Sequence, residues 1–219
     1  ILDFKGGVDM IHKVQTKKDL NDFVNCIKDL YKNNEHYIYP IFYVQKKEIF
    51  DIVVKKKSYT ALLSKKENKI VGRLLFTYDY SKKQNKKICY YSYFDVVNDQ
   101  EVVNELFGYM EEDMKFHNVD YSEGTFSPFD PDTRRGVMVQ GFDEDPSIFT
   151  SYNYEYYSTL LENYGFKKAI DTVLINADVD AKSKKRLNTF SKFFLRSHDV
   201  RIDSIDFKHL EKDLKDVEE

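Results

Sequence analysis

Three β-rich runs follow one another between residues 58 and 97, SYTALLSKK, KIVGRLLFTYDY and KKICYYSYFDVV, linked by ENK and by the basic stretch SKKQNKK. Runs of this length, rich in β-branched and aromatic residues and separated by turn-sized polar links, pair most simply as an antiparallel meander. From Asp99 the period changes. Val102, Val103, Leu106, Phe107, Met110 and Met114 fall on one helical face, and VDYSEGTFS then returns to strand. A strand, a helix of this length and a further strand favour a parallel pair joined by a right-handed crossover. The expected architecture is therefore α+β, an α/β/α layering in which a central mixed, mostly antiparallel sheet is flanked by helices.

Upstream, a strand centred on IHKVQ leads to Thr16, which with Asp19 forms a capping-box pattern. Leu20, Phe23, Val24, Ile27, Leu30 and Tyr31 then mark one face of a helix. NNEHYIYPIFYV reads as an irregular connection, because Pro40 limits helix, and a second helix is predicted over Gln45–Lys55. Downstream, SPFDPDTRRGVMVQGFDEDP is the least regular part of the body, with prolines and glycines in close order. Long loops of this kind inside compact domains often carry function.

After that loop comes NYEYYSTLLENYGFKKAIDTVLIN, residues 153–176. Asn153 is a suitable N-cap, Tyr157, Leu160, Leu161 and Tyr164 recur at helical spacing, and Gly165 supplies a left-handed stop with Phe166 folding back on the last turn. AIDTVLIN is short and β-branched, so a strand is predicted there. Past Asp178 a basic helix, then HDVRIDSID, then the helix KHLEKDLKDVEE repeat the strand-then-helix order of residues 10–32.

Composition sets further bounds. The 219 residues are 42% hydrophobic, enough for a real core, and the net charge of −3 supplies no general field for nucleic acid or for an anionic membrane. The basic runs at 81–87 and 182–186 read as solvated turn and helix faces. Cys26 and Cys89 lack disulfide-framework or metal spacing and are expected as buried free thiols, which with no bilayer-length apolar run and no leader pattern predicts a cytoplasmic protein without a membrane partner. The five histidines have no second ligand at metal spacing, and no structural metal is expected.

The order of elements, and the N-then-GF corner formed by Asn153, Gly165 and Phe166, resemble the GNAT (GCN5-related N-acetyltransferase) acyltransferase fold. The run GFDEDPSIFTSYNYEYYSTLLENYGF is similar to a poorly characterised GNAT-like group with two tandem GNAT-like halves. The resemblance covers about residues 10–178. Residues 1–9 lie before it, and it implies a GNAT-like domain at 10–178 and a linker helix with the possible start of a second, truncated half at 179–219. A second half or a homodimer is the implied protein partner.

The resemblance also implies where the site lies. Acetyl-CoA or another acyl-CoA would meet Val96, Val97 and Asn98 at the start of the crossover helix, with Asn153 near its path. The family's Q/R-x-x-G-x-G/A pyrophosphate loop has no counterpart, since DVVNDQEVVNELFGYM holds no glycine before Gly108. Asp95, Asp99 and Glu101 would repel a pyrophosphate there. Asp95 and Glu123 are the candidate general bases. Tyr157 is the candidate general acid, one turn before the family's tyrosine position, which holds Leu161. Ser127, Arg134 and Arg135 in the long loop suit a carboxylate or phosphate of a small-molecule substrate.

Three functions follow. The first is N-acyl transfer from a thioester to an amine. The second is a Fem-type half that takes its acyl group from aminoacyl-tRNA, the one case in which nucleic acid would be a partner, and the mild acidity weighs against it. The third is a non-catalytic module whose cleft binds a small ligand or a partner segment.

Overall fold

The computed structural model describes residues 9–126, 135–147, 150–175, 180–198 and 210. The chain divides into two compact units, residues 1–168 and 169–219.

The first unit is organised by one five-stranded sheet in the order β1-β2-β3-β4-β5: Asp9–Lys13, Thr60–Lys66, Lys69–Ser81, Lys86–Val96 and Ser122–Gly124. The first four strands are antiparallel neighbours, and β5 runs parallel to β4. Helix α4 (Gln100–Phe116) joins that parallel pair, as the pattern from Asp99 predicts. Alternation along β2 and β3 sends Leu62, Leu74 and Phe76 to one face and Ala61, Leu63 and Leu75 to the other. On the first face they pack with α4 and with α5 (Tyr156–Tyr164). On the second they meet α1 (Lys17–Asn25) and α3 (Phe42–Ile49). Both faces of the sheet are thus covered, so its strands are apolar on both sides.

The start of α1 is fixed by the expected capping box. The backbone N–H of Asp19 donates to the Thr16 hydroxyl (3.1 Å), and the N–H of Thr16 donates back to the Asp19 carboxylate (2.9 Å). Burial pushes the Asp19 carboxyl up, but these bonds and one from the Gln15 N–H outweigh it and hold the group well below the usual carboxylate range. Because the folded value is depressed, the stabilisation is present above the ordinary carboxyl pKa near ~4 and fades as the pH falls below it. Thr16→Ala is expected to cost about 1 kcal/mol at neutral pH. Asp19→Asn should destabilise at pH 7 and lose that effect in acid, measured by urea unfolding across pH.

A four-residue helix α2 (Ile27–Leu30) continues α1 and brings Tyr31 inward. The second helix departs from expectation at its start: α3 begins at Phe42, directly after Pro40 and Ile41, and continues as a π-helical turn over Phe50–Lys55. Proline disfavours helix in the turn before it but not in the residues that follow, so the connection ends sooner than its composition suggests. Both cysteines are free and buried, and burial pushes each thiol up to about 12, which leaves them protonated and unreactive at neutral pH.

Helix α5 ends as read, with Gly165 at φ 115° and Phe166 packed on Tyr164 and Phe107. Its start does not. Asn153 is not the cap; the helix opens at Tyr156 after Glu155. The Asn153 side chain instead accepts from the Met138 N–H (2.7 Å) and donates to the Met138 carbonyl (3.2 Å), pairing with the long loop as a strand neighbour would. A buried loop carries backbone groups that need partners, and an amide offers a donor and an acceptor at once.

In the second unit, residues 169–175 do not form the predicted strand; they are irregular, with Ile170, Val173, Leu174 and Ile175 exposed. β-propensity reflects a fit to a half-buried pleated surface, and no such surface covers these side chains among the described residues. The basic helix is present as α6 (Ala181–Ser197), capped by Asp180. Leu187, Phe190 and Phe194 form one stripe, and Lys182, Lys185, Lys192 and Arg196 lie opposite. The predicted strand HDVRIDSID, apart from His198, and the last helix, apart from Leu210, fall outside the described residues. Among the described residues no helix is long and apolar enough to cross a membrane.

Candidate functional site

Strands β4 and β5 pair only from Cys89 to Tyr91 against Ser122 to Gly124. Beyond that they part. On its other side β4 loses step with β3 between Arg73 and Leu75, where the partners jump from Asp95 to Ser92. The extra residue forms a bulge at Tyr93, whose φ of 48° is rare for a bulky side chain. Such conformations cost of order 1–3 kcal/mol and persist where surrounding contacts enforce them. Here the Tyr93 ring lies 6.1 Å from that of Phe23, and the Arg73 guanidinium sits 5.2 Å from each ring.

The parting opens a cleft of about 470 Å³, bounded by β4, the segment between α2 and α3, and the loop before α5. Its floor is a buried polar cluster. Arg73 donates to one Asp95 oxygen from Nε and from Nη2, each at 2.7 Å, and to the Phe23 carbonyl from Nη1 at 2.8 Å. The Tyr31 hydroxyl donates to the other Asp95 oxygen (2.8 Å) and lies 3.0 Å from the Tyr157 hydroxyl. Since Tyr31 gives its proton to Asp95, it accepts from Tyr157, which itself accepts from the Val96 N–H (2.9 Å). The Tyr156 hydroxyl donates to the Val96 carbonyl (2.8 Å). Burial foremost, and then the nearby Asp95 charge, push the hydroxyls of Tyr31 and Tyr157 well above their ordinary range. Both stay protonated.

The structure brings Asp95, Val96 and Tyr157 together and leaves other expected residues apart. Val97 spends its N–H on Val71, and Asn98 is exposed. Asn153 lines the cleft while holding the loop. Glu123 lies in an adjoining groove of about 630 Å³ with Arg135, which packs over the Phe126 ring; Ser92 and Phe126 line both spaces. Ser127 and Arg134 lie outside the described residues. Arg73, Tyr31 and Tyr156 were not anticipated. The signal for Arg73 was an arginine in the apolar run KIVGRLLF opposite an aspartate in the apolar run YYSYFDVV.

The GNAT resemblance places a coenzyme A pyrophosphate at the N-terminus of α4, and the residues there do not suit one. The Asp99 carboxylate caps the helix by accepting from the Glu101 N–H (2.9 Å), and Lys66 pairs with Asp99 at 2.9 Å and with Glu101 at 3.4 Å. A resident carboxylate holds the position, and Lys66 is paired with it. Among the described residues no three His, Cys, Asp or Glu side chains converge as a metal site would need.

No family model matches the chain. Protein YghO of Escherichia coli (strain K12) is 24% identical over 170 residues, which covers 74% of this chain and 42% of YghO, so the chain spans less than half the length of that relative. Among solved structures, a predicted acetyltransferase from Clostridium acetobutylicum, solved with acetyl-CoA, superposes with a TM-score of 0.51 at 10% identity, covering 77% of this chain and 96% of that one. A transcriptional regulator from Bacillus halodurans C-125 superposes with a TM-score of 0.50 at 16% identity, over 77% and 99% of the two chains. At such identities the likeness is one of fold.

Proposed function

From the GNAT acetyltransferase fold that the first unit carries, we propose that it transfers an acyl group from a thioester to an amine, with the thioester laid along the cleft-facing edge of β4. The observation that supports this reading is the parting of β4 from β5 beside the Tyr93 bulge. Val96 directs its N–H and C=O away from β3, to the α5 tyrosines. Phe94, next to the bulge, lines the cleft, and this reading needs its backbone N–H to face that space. An N–H fixed there can bind the carbonyl oxygen of the thioester as it gains negative charge, without reorganising during the reaction.

The neutral amine attacks the carbonyl carbon, the C–S bond breaks, the thiolate leaves, and the nitrogen sheds a proton. Arg73 and Tyr31 engage both Asp95 oxygens, so Asp95 is a positioning residue and the proton passes to water. Tyr157 is a poor proton donor near neutrality because burial raises its hydroxyl far above the working pH. Its task is to hold Val96. In this reading the donor is gripped by its acyl-thioester arm and not by a nucleotide pyrophosphate, which the Asp99 cap and its Lys66 pair support.

The test is thiol release from acetyl-CoA in the presence of primary amines. The expected rate rises with pH in parallel with deprotonation of the amine itself, with no separate limb from a protein base. Release no faster than the uncatalysed background with every amine tried would sink the reading. A non-catalytic ligand-binding module is the second reading, favoured by one observation: the backbone groups of Val96, next along the strand from Phe94, are already taken by tyrosine hydroxyls.

A further inference from the structure

The cleft is aromatic to a degree that a thioester arm does not require. Tyr37, Tyr39, Tyr93, Phe94, Phe126 and Tyr152 all line it. Tyr37 is central to its outer part. One side of its ring is stacked on Tyr31, with centroids 3.7 Å apart, while Tyr39 meets it edge-on at 5.1 Å and Tyr152 at 6.2 Å, with interplanar angles of 74° and 73°. Rings held at such angles present faces and edges together, the arrangement in which a further ring finds offset or edge-to-face partners.

Charge is scarce in the same space. Asp95 is the one carboxylate among the described residues that line the cleft, and it is matched by Arg73 at 2.7 Å. An acceptor recognised through an ammonium would find no unmatched carboxylate there to hold the charge, and none to remove the proton before attack. An acceptor recognised through a ring takes its binding contacts from the aromatic wall, and the free-amine fraction present at the working pH is the species that attacks. Among the described residues that line the cleft, the Ser151 hydroxyl is the buried polar atom with no hydrogen-bond partner. A single polar handle beside an aromatic wall suits a small arene with one short polar arm.

We propose that the acceptor is an arylalkylamine, a planar aromatic ring carrying a primary amine on a short chain, with its ring seated among Tyr37, Tyr39 and Tyr152. The inference rests on the acyl-transfer reading for the word acceptor, but ring binding needs no donor and is tested without one. The chain carries 17 tyrosines, most of them outside the cleft, so binding is followed by calorimetry.

The experiment titrates the full chain with phenethylamine, and in parallel with spermidine as a polycation lacking a ring. Phenethylamine is expected to bind at least about tenfold more tightly than spermidine. Tyr39→Ala is expected to weaken it by about tenfold, the scale of one lost ring partner. Tyr39 is 39% exposed, so that variant keeps its core and folds. Spermidine binding as tightly as phenethylamine, no binding of phenethylamine, or an unchanged affinity in Tyr39→Ala would each overturn the proposal. Phenethylamine binding without thiol release from any thioester would leave this inference standing and remove the acyl-transfer reading. Thiol release with aliphatic amines but none with phenethylamine would do the reverse.

Discussion

Asp95→Asn is expected to destabilise the first unit by about 3–5 kcal/mol in urea unfolding, because it leaves the Arg73 guanidinium buried beside a neutral amide. Arg73 is 2% exposed, and three of its nitrogens already donate inward, two to Asp95 and one to the Phe23 carbonyl. It is therefore poorly hydrated when its counter-charge is removed, although the cluster floors the cleft. Asparagine retains the shape and one acceptor oxygen, so the loss measures the charge and not the packing. Arg73→Met/Asp95→Asn removes the stranded cation as well and should recover a large part of that loss, since an apolar side chain in place of a buried charge is often neutral or stabilising. A double variant no more stable than Asp95→Asn would show that the cluster is held by its hydrogen bonds and not by the ion pair. The same cluster fixes β4 against α2 and α5, so the single variant should also loosen the cleft.

Phe107→Ala should cost about 3–5 kcal/mol, the range for a large aromatic removed from a packed interior. Phe107 is fully buried on α4, and its ring lies 4.8–5.2 Å from those of Tyr91, Phe94, Tyr164 and Phe166. It ties the crossover helix to the strand that parts and to the glycine corner that ends α5. Because these rings come from separate elements, they are not free to collapse together into the space left behind. Phe107→Leu, which keeps most of the volume, should cost less than half as much. Equal losses for the two variants would mean that the ring contacts, and not the filled volume, carry the stability.

Much of this frame was legible in the sequence because it depends on local periodicity. The meander, the crossover helix and its inward residues, the Thr16 capping box and the Gly165 stop are each written within a few residues of where they act. The errors share a cause. Asn153 has the composition of a cap, yet its amide serves a loop segment 15 residues away. AIDTVLIN has the composition of a strand, and whether such a segment pairs depends on a neighbour that the segment does not specify. The site was legible only in part for the same reason. Asp95 and Tyr157 stand out by type and position, whereas Tyr31 reaches Asp95 across 64 residues and Tyr157 across 126. A tyrosine at helical spacing carries no mark of which hydroxyl it will meet. The bulge at Tyr93 leaves no pattern in KKICYYSYFDVV, because it is set by the register of β3 opposite.

The central claim is that an acyl thioester lies along β4 and is held there by its arm, while α4 keeps its N-terminus for Asp99. The most direct measurement is a pair of calorimetric titrations of the full chain, with S-acetylpantetheine and with acetyl-CoA. The account predicts binding of both with dissociation constants within about threefold of each other, and little change in either when Lys66 is replaced by Met. Failure of both to bind would contradict it, and so would acetyl-CoA binding a hundredfold more tightly than its nucleotide-free counterpart.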